Sequence, residues 1–217
     1  MSPISRRALI VGAAGAVAAQ SSLAQTNGGT LGKTRFDVDR FVDDVKQAAT
    51  GPDRQADVED VLRRAVAQSK QLLAALGEPM RAGIHTLHRD EDLTILNVVW
   101  APLMILLPHN HTMWASIGIY TGREDNILWE KRGNSIAATR AAALSEKDVF
   151  GLGADAIHSV TNPIGRLTGA IHIYGGDFFA PGRSEWDAES LRERSWDLEA
   201  ARDTFTKAVD RFDAVPD

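Results

Sequence analysis

Apolar side chains recur every three or four residues in the first third of the chain, which predicts helices there. Phe36, Phe41 and Val45 predict one amphipathic helix. A longer stretch predicts a second helix that ends near Gly77, with Pro79 just beyond it. The apolar positions of this stretch are Val58, Val61, Leu62, Ala65, Val66, Leu72, Leu73 and Leu76.

A third helical pattern runs from Trp186 to Phe212, with apolar residues on one side and charges elsewhere. It predicts a C-terminal helix, continuous or broken, for which Ser184 is a plausible N-cap. The apolar positions on this side are Leu191, Leu198, Ala201, Phe205 and Val209.

Short β-branched and aromatic runs replace the helical pattern between Gly83 and Tyr174, and they predict strands. The Ala-rich run 136–143 fits a strand or a helix. Many short strands separated by turn residues predict a mainly β fold, a sandwich or a barrel, with helices packed on one face or end. The predicted strands cover residues 84–88, 93–100, 104–107, 114–121, 126–132, 156–161 and 167–174.

The first 24 residues have the pattern of an export signal. Arg6 and Arg7 precede an apolar run, residues 8–19, and Ser22-Leu23-Ala24 is a small-residue pattern of the kind that signal peptidase cleaves. Paired arginines resemble a twin-arginine signal, which implies a periplasmic or otherwise exported protein. The run is shorter than the roughly 20 residues of a membrane-spanning helix, so no membrane span is expected. The alternative is an Ala-rich helix at the start of a cytoplasmic protein.

These patterns divide the chain into three parts. Residues 1–24 are the predicted signal, residues 25–82 a linker and N-terminal helices, and residues 83–217 a barrel with a C-terminal helix. We expect residues 25–217 to form one structural domain.

Composition excludes several kinds of chemistry. The chain has no cysteine, so disulfides, cysteine-ligated zinc, iron–sulfur clusters and thiol nucleophiles are excluded. The net charge is -5 and no basic block occurs, so nucleic acid is not an expected partner.

Three histidines have the spacing of metal ligands. His109 and His111 alternate at the start of an apolar strand-like run, so both side chains are expected on one face. Such a pair binds a metal or lies on the surface. His158 begins a His-x-x-x-Asn pattern that ends at Asn162. Imidazole is a common metal ligand, so the His109–His111 pair and a third histidine from elsewhere in the chain suit one metal ion.

A His-x-His strand followed at this distance by His-x-x-x-Asn resembles the two metal motifs of cupins. Cupins are small jelly-roll barrels (double-stranded β-helices) that hold a metal inside, and the resemblance implies this fold. Many cupins carry a Glu four or five residues after the second His. Ala115 and Ser116 stand at these positions. The resemblance therefore implies a site of three histidines, His109, His111 and His158, without a carboxylate.

A three-histidine cupin resembles the thiol dioxygenases, namely cysteine dioxygenase and the bacterial 3-mercaptopropionate dioxygenases. Those enzymes carry a Ser-x-His-x-Tyr relay, which His172 and Tyr174 match and in which Ala170 replaces the Ser. The resemblance implies catalytic roles for His172 and Tyr174. Arg183 stands where the mercaptopropionate enzymes place a carboxylate-binding arginine, although it also fits a surface salt bridge with Glu185 or Asp187. The resemblance covers roughly residues 85–187.

Three neutral ligands leave a divalent ion its full charge and favour an anionic substrate, above all a thiolate. The resemblance implies an iron(II) dioxygenase that oxidises a small thiol, such as cysteine or 3-mercaptopropionate, to a sulfinate with dioxygen. One alternative is a cupin with manganese, nickel or zinc that catalyses isomerisation, decarboxylation or ring-cleaving oxygenation. Another is a non-catalytic cupin that binds a small molecule, for which Ala170 would be a decayed relay position. No pattern in the chain indicates an oligomeric state.

Overall fold

A computed structural model of the protein describes residues 35–213, in which two antiparallel sheets pack against each other with helices at their margins. The predicted export signal lies outside the described residues, as does the first part of the linker, and both stay predictions. Within residues 35–213, no helix is long and apolar enough to cross a membrane.

Three helices precede the sheets: α1 (Val38–Ala48), α2 (Arg54–Ala67) and α3 (Ser69–Leu76). The long second helix of the prediction is therefore two helices. The break lies at Gln68, whose backbone leaves the helical region (φ -98°, ψ 36°). The second of them ends at Gly77, as the pattern predicted, because Gly77 has φ +88° and only glycine adopts that conformation without strain.

The first sheet has five strands in the order β1-β2-β9-β4-β7. Two of its three inner strands, β2 and β9, are buried along their whole length, because the N-terminal helices cover one face and the barrel interior lies on the other. The strands are β1 (Gly83–Arg89), β2 (Thr94–Trp100), β4 (Ala115–Thr121), β7 (Val149–Leu152) and β9 (Thr168–Tyr174).

The second sheet has six strands in the order β11-β10-β3-β8-β5-β6. From β2 to β5, and again from β7 to β9, successive strands alternate between the two sheets, which is the winding of a jelly roll. The predicted mainly β jelly-roll barrel is confirmed. The Ala-rich run is β6. The strands are β3 (Ile105–Asn110), β5 (Arg123–Arg132), β6 (Ser135–Ser145), β8 (Ile157–Thr161), β10 (Ser184–Trp186) and β11 (Glu193–Ser195).

The C-terminal helix α4 (Leu198–Asp213) begins later than predicted. Ser184 lies in β10 and is not an N-cap, because the chain from Ser184 onward forms the β10–β11 hairpin, which buries Trp186. Asp197 caps the helix instead. Its carboxylate accepts hydrogen bonds from the backbone N–H groups of Glu199 and Ala200 at 2.9 and 3.0 Å.

Helix α2 packs directly on β4, and a glycine allows the close approach. A Cβ atom on Gly118 would lie 2.7 Å from Leu62 Cγ and 3.0 Å from Val66 Cγ1, closer than carbon atoms pack. Both helix residues are fully buried. The contact fixes the distance between the helices and the five-stranded sheet.

We therefore expect Gly118→Ala to lower the free energy of unfolding by about 1–3 kcal/mol, because overpacking a filled core forces side chains and backbone apart. Urea unfolding followed by circular dichroism measures the change. Gly153→Ala is the matched control, since nothing lies within 4 Å of the Cβ it would add, and it should stay within about 0.5 kcal/mol of the wild type. Equal midpoints for the two variants would contradict the packing described.

Candidate metal centre

The three predicted histidines meet inside the barrel. His109 and His158 lie directly opposite each other on the antiparallel strands β3 and β8, so their side chains share a face. His111 follows the end of β3, where the chain crosses to the other sheet. The Nε2 atom of His111 lies 3.1 Å from His109 Nε2 and 3.3 Å from His158 Nε2.

The sequence pattern predicted that the His-x-His pair opens the strand-like run that begins at Trp114. This prediction is wrong. His109 belongs to the end of β3, in the six-stranded sheet, and the following strand β4 belongs to the other sheet. A β-bulge between Leu106 and His109 inserts one extra residue into β3. The side chains of Leu106 and His109 therefore both face the interior, although an odd number of positions separates them. Pro108 suits this bulge because it has no N–H group to pair.

Burial keeps all three imidazoles neutral. Desolvation lowers the pKa of His109 to about 4 and lowers the pKa values of His111 and His158 well below the usual range, with a further contribution from the neighbouring imidazoles at His111 and His158. His109 Nδ1 donates to the carbonyl oxygen of Leu107 at 2.8 Å. His158 Nδ1 donates to Asn126 Oδ1 at 2.7 Å. The Nε2 atoms of both rings are therefore free to donate lone pairs.

This donor set fits a divalent metal ion. Nitrogens bound at about 2.1 Å to one ion lie about 3.0 Å apart at right angles and about 3.4 Å apart at tetrahedral angles, which brackets the two separations found here. Buried lone pairs that face one another repel unless a cation lies between them. The second ring nitrogens of His109 and His158 are already held by acceptors, as in metal sites generally. The cluster can therefore hold a metal ion.

The site contains no carboxylate ligand among the described residues. Ser116, at a position where many cupins have Glu, faces away from the barrel and donates to Glu59 of α2 at 3.3 Å. Ala115 faces the interior core. The ligands available to an ion are thus three neutral nitrogens, which suit iron, nickel, copper and zinc.

His172 and Tyr174 lie beside the cluster. They share the inner face of β9, and His172 Nδ1 is 3.1 Å from the hydroxyl oxygen of Tyr174. The Tyr174 ring meets the His111 ring edge to face, with centroids 4.9 Å apart. Burial raises the pKa of Tyr174 above its ordinary value, so the phenol is protonated at neutral pH. Their catalytic roles stay predictions.

One buried residue of the site was not predicted. Glu124 is fully buried on β5, and its Oε2 atom lies 3.1 Å from His172 Nε2. The pattern predicted a strand only from Asn126, and the charged residues before it are typical of an exposed turn. Period-two alternation of Glu124, Asn126 and Leu128 could have identified the inward face.

Arg183 is buried next to the cluster and forms no salt bridge with a carboxylate in residues 35–213. Its guanidinium carbon lies 4.3 Å from the ring centroid of Phe178 and 4.7 Å from that of Trp196. Its Nε and Nη1 atoms are buried without a hydrogen-bond partner. Among the described residues Arg183 forms no salt bridge with Glu185 or Asp187, and Glu185 pairs with Arg194 at 2.7 Å. The guanidinium is close enough to contribute to the lowered pKa values of His109 and His111.

A cavity of about 30 Å³ adjoins the cluster. Helix α4 closes it, because Phe205 stacks on Trp100 with ring centroids 5.2 Å apart. The rings of Phe178 and Trp196 also line the cavity. This volume holds one or two water-sized groups, so a small ligand fills it and a larger one has to displace α4. The cluster and relay side chains in its wall are His109, His158, His172 and Tyr174.

Two other polar residues, Asn162 and His88, form hydrogen bonds away from the cluster. Asn162 is buried and donates to the carbonyl oxygens of Trp100, Ala101 and Arg166, so it joins loops and does not face the cluster. His88 bonds to Asp90 at the surface.

No protein-family profile matches the chain. Solved structures with a similar fold include an RmlC-like cupin with a double-stranded β-helix fold from Methanocaldococcus jannaschii, at 11% identity over 46% of this chain and 85% of that one, with a TM-score of 0.39. A cupin superfamily protein from Desulfitobacterium hafniense is 16% identical over 48% and 88%, with a TM-score of 0.38. Bacillus subtilis oxalate decarboxylase, which has Mn(II) centres, is 16% identical over 46% of this chain and 27% of its own, with a TM-score of 0.37. These likenesses concern the fold alone.

Proposed function

We propose that the protein is a metal-dependent dioxygenase that oxidises a small thiol bearing a carboxylate to the corresponding sulfinate. One observation carries the proposal. Three buried neutral imidazoles converge beside a protonated tyrosine and near a buried arginine that has no anionic partner among the described residues. The imidazoles can hold a metal ion, and the arginine is available to bind an anion.

His109, His111 and His158 would hold the ion, for which we propose iron(II). When bound, iron(II) would supply redox chemistry and a positive charge that favours a thiolate. The three ligands add no negative charge, so that preference is not cancelled. Nickel and zinc suit the same donors, and together with manganese they are the alternatives to be tested.

Arg183 would bind the carboxylate of the substrate. A buried guanidinium without a partner is costly, and a carboxylate that accepts two of its N–H groups removes that cost. Cation–π contacts with the rings of Phe178 and Trp196 hold the guanidinium, so the arginine is positioned before the substrate arrives.

Tyr174 would place an oriented hydroxyl beside the reacting groups. Its hydrogen bond to His172 and its contact with the His111 ring fix Oη at the edge of the cluster. Helix α4 and Phe205 would exclude water from the apolar cavity.

The overall reaction balances without a further reductant. A thiolate and dioxygen give a sulfinate, in which two S–O bonds form and the O–O bond breaks. Sulfur loses four electrons, and dioxygen gains four.

Oxygen uptake by the purified, iron(II)-loaded protein tests the proposal, with cysteine, 3-mercaptopropionate and the carboxylate-free thiols cysteamine and 2-mercaptoethanol. We expect one dioxygen consumed per thiol, both atoms of labelled dioxygen in the sulfinate by mass spectrometry, and a preference for the thiol carboxylates. Tyr174→Phe should lower turnover and leave metal content unchanged.

No sulfinate from any of these thiols would reject the proposal. Bound manganese, nickel or zinc without thiol-dependent oxygen uptake would favour other metal chemistry. Tight binding of a small acid without turnover would favour a binding protein.

A further inference from the structure

Glu124 is a buried carboxylate that the proposed reaction does not use. It is fully buried, and among the described residues it forms no salt bridge with lysine or arginine. Three donors surround it instead. Trp100 Nε1 donates to Oε2 at 2.8 Å, Asn126 Nδ2 donates to Oε1 at 3.0 Å, and His172 Nε2 lies 3.1 Å from Oε2.

One arm of this network leads to a metal ligand. Because Asn126 donates its Nδ2 group to Glu124, its Oδ1 atom faces His158 Nδ1 at 2.7 Å and accepts a hydrogen bond there. His158 must then carry its proton on Nδ1, which leaves the Nε2 lone pair for the cluster. Glu124 thus sets the tautomer of a ligand that it does not touch.

The other arm leads to Tyr174. With the Glu124 carboxylate as the acceptor of this contact, His172 donates through Nε2 and its Nδ1 atom carries a lone pair. The Tyr174 hydroxyl, 3.1 Å away, therefore donates to His172 Nδ1, and the oxygen lone pairs of Tyr174 turn away from that ring.

We propose that Glu124 is the positioning residue of this centre, the single carboxylate that sets the imidazole tautomers of both His158 and His172. This inference rests on the proposed function for the use that is made of the cluster and of Tyr174. Glu124 would also be the last member of the hydrogen-bonded series Tyr174–His172–Glu124. Ala170 stands where the resemblance places a serine, and a carboxylate from the opposite sheet bonds to His172 instead.

Only an acceptor at both oxygens satisfies the three donors. In Glu124→Gln, an amide oxygen at the Oε2 position leaves the amide nitrogen facing Asn126. Asn126 then has to turn its own nitrogen toward His158 Nδ1, which moves the His158 proton to Nε2. The opposite amide orientation places a nitrogen against Trp100 Nε1 and removes the acceptor of His172. Either orientation disrupts one arm.

The experiment measures these tautomers directly. Nitrogen-15 chemical shifts of the histidine rings in the metal-free full chain separate protonated from unprotonated nitrogens. We expect His158 protonated on Nδ1 and His172 on Nε2 in the wild type, and at least one of them switched or mixed in Glu124→Gln. Glu130→Gln is the matched control, because Glu130 lies on the same strand, is exposed and pairs only with Arg132.

Metal affinity separates the two arms. Cobalt(II) affinity, measured by competition with a chelator, should fall about 10–100-fold in Asn126→Leu, because an outer partner of a ligand is lost. In that variant the His172 tautomer should be unchanged. The double variant with Glu124→Gln should bind cobalt(II) within about twofold of Asn126→Leu, because Glu124 acts on His158 only through Asn126. If Glu124→Gln does not fold, Asn126→Leu alone tests the metal arm.

Unchanged tautomers in a folded Glu124→Gln protein would overturn the inference, whatever the activity. So would cobalt(II) losses that add in the double variant. Switched tautomers in a protein whose wild type oxidises no thiol would retain the role of Glu124 and reject only the proposed reaction.

Discussion

His158→Gln should reduce metal affinity at least about 100-fold and abolish thiol-dependent oxygen uptake. Outer partners of metal ligands alone contribute about 10–100-fold, and loss of a ligand costs more. His158 is one of only three donors in the cluster, and no carboxylate among the described residues is placed to replace it. The amide of glutamine is similar in size, so the barrel should keep its packing.

Chelator competition with cobalt(II) or zinc(II) measures the affinity, and thermal unfolding provides a second readout. Metal at 100 times its dissociation constant should stabilise the wild type by about 2.7 kcal/mol, whereas His158→Gln should gain almost nothing. His85→Gln is the control, because His85 is exposed on β1 and lies outside the cluster. Wild-type metal affinity in His158→Gln would show that His158 is not a metal ligand and would contradict the proposed metal centre.

Arg183→Met should lower kcat/KM for thiol carboxylates about 100-fold or more and leave metal affinity unchanged. Hydrogen bonds to charged groups contribute about 1.5–3 kcal/mol each, and a carboxylate would accept two from the guanidinium. Thiols without a carboxylate should react at nearly the wild-type rate, since they make no contact with this charge. Steady-state kinetics with 3-mercaptopropionate and 2-mercaptoethanol measure the difference.

The same substitution should leave the free energy of unfolding within about 1 kcal/mol of the wild type, or raise it. Arg183 is a buried charge without an anionic partner, so its removal relieves a desolvation cost that offsets the two lost cation–π contacts. Arg140→Met is the control, because Arg140 lies over Phe150 at the surface. A large loss of stability with unchanged kinetics would assign Arg183 a structural role instead.

Local patterns predicted most of the elements. Strands β2, β4 and β9 follow apolar runs that were recognised as strands, because their β-branched residues are buried on both faces. The pattern failed where the same spacing of apolar residues is compatible with two structures. The segment before α4 has helical spacing, yet Trp186 is buried in a hairpin, and tertiary packing decides between the two.

Glu124 shows why a site residue escapes prediction. On β5 the buried side chains are Glu124 and Asn126, whereas Ile127 is 39% exposed, so the usual relation between polarity and burial is inverted. Only the donors that Trp100 and His172 bring from the other sheet make a buried carboxylate acceptable there. That arrangement is invisible in a window of ten residues.

By itself the sequence determined the kinds of element, the jelly-roll class and the identity of the imidazoles that converge, since these depend on local periodicity and on motif spacing. The tertiary structure decided which strands carry them, how His109 faces His158, that Arg183 is buried without a partner and that Glu124 joins the ligand and the tyrosine. Those features depend on the register between strands and on crossings between sheets, which bring together residues that are up to about fifty positions apart.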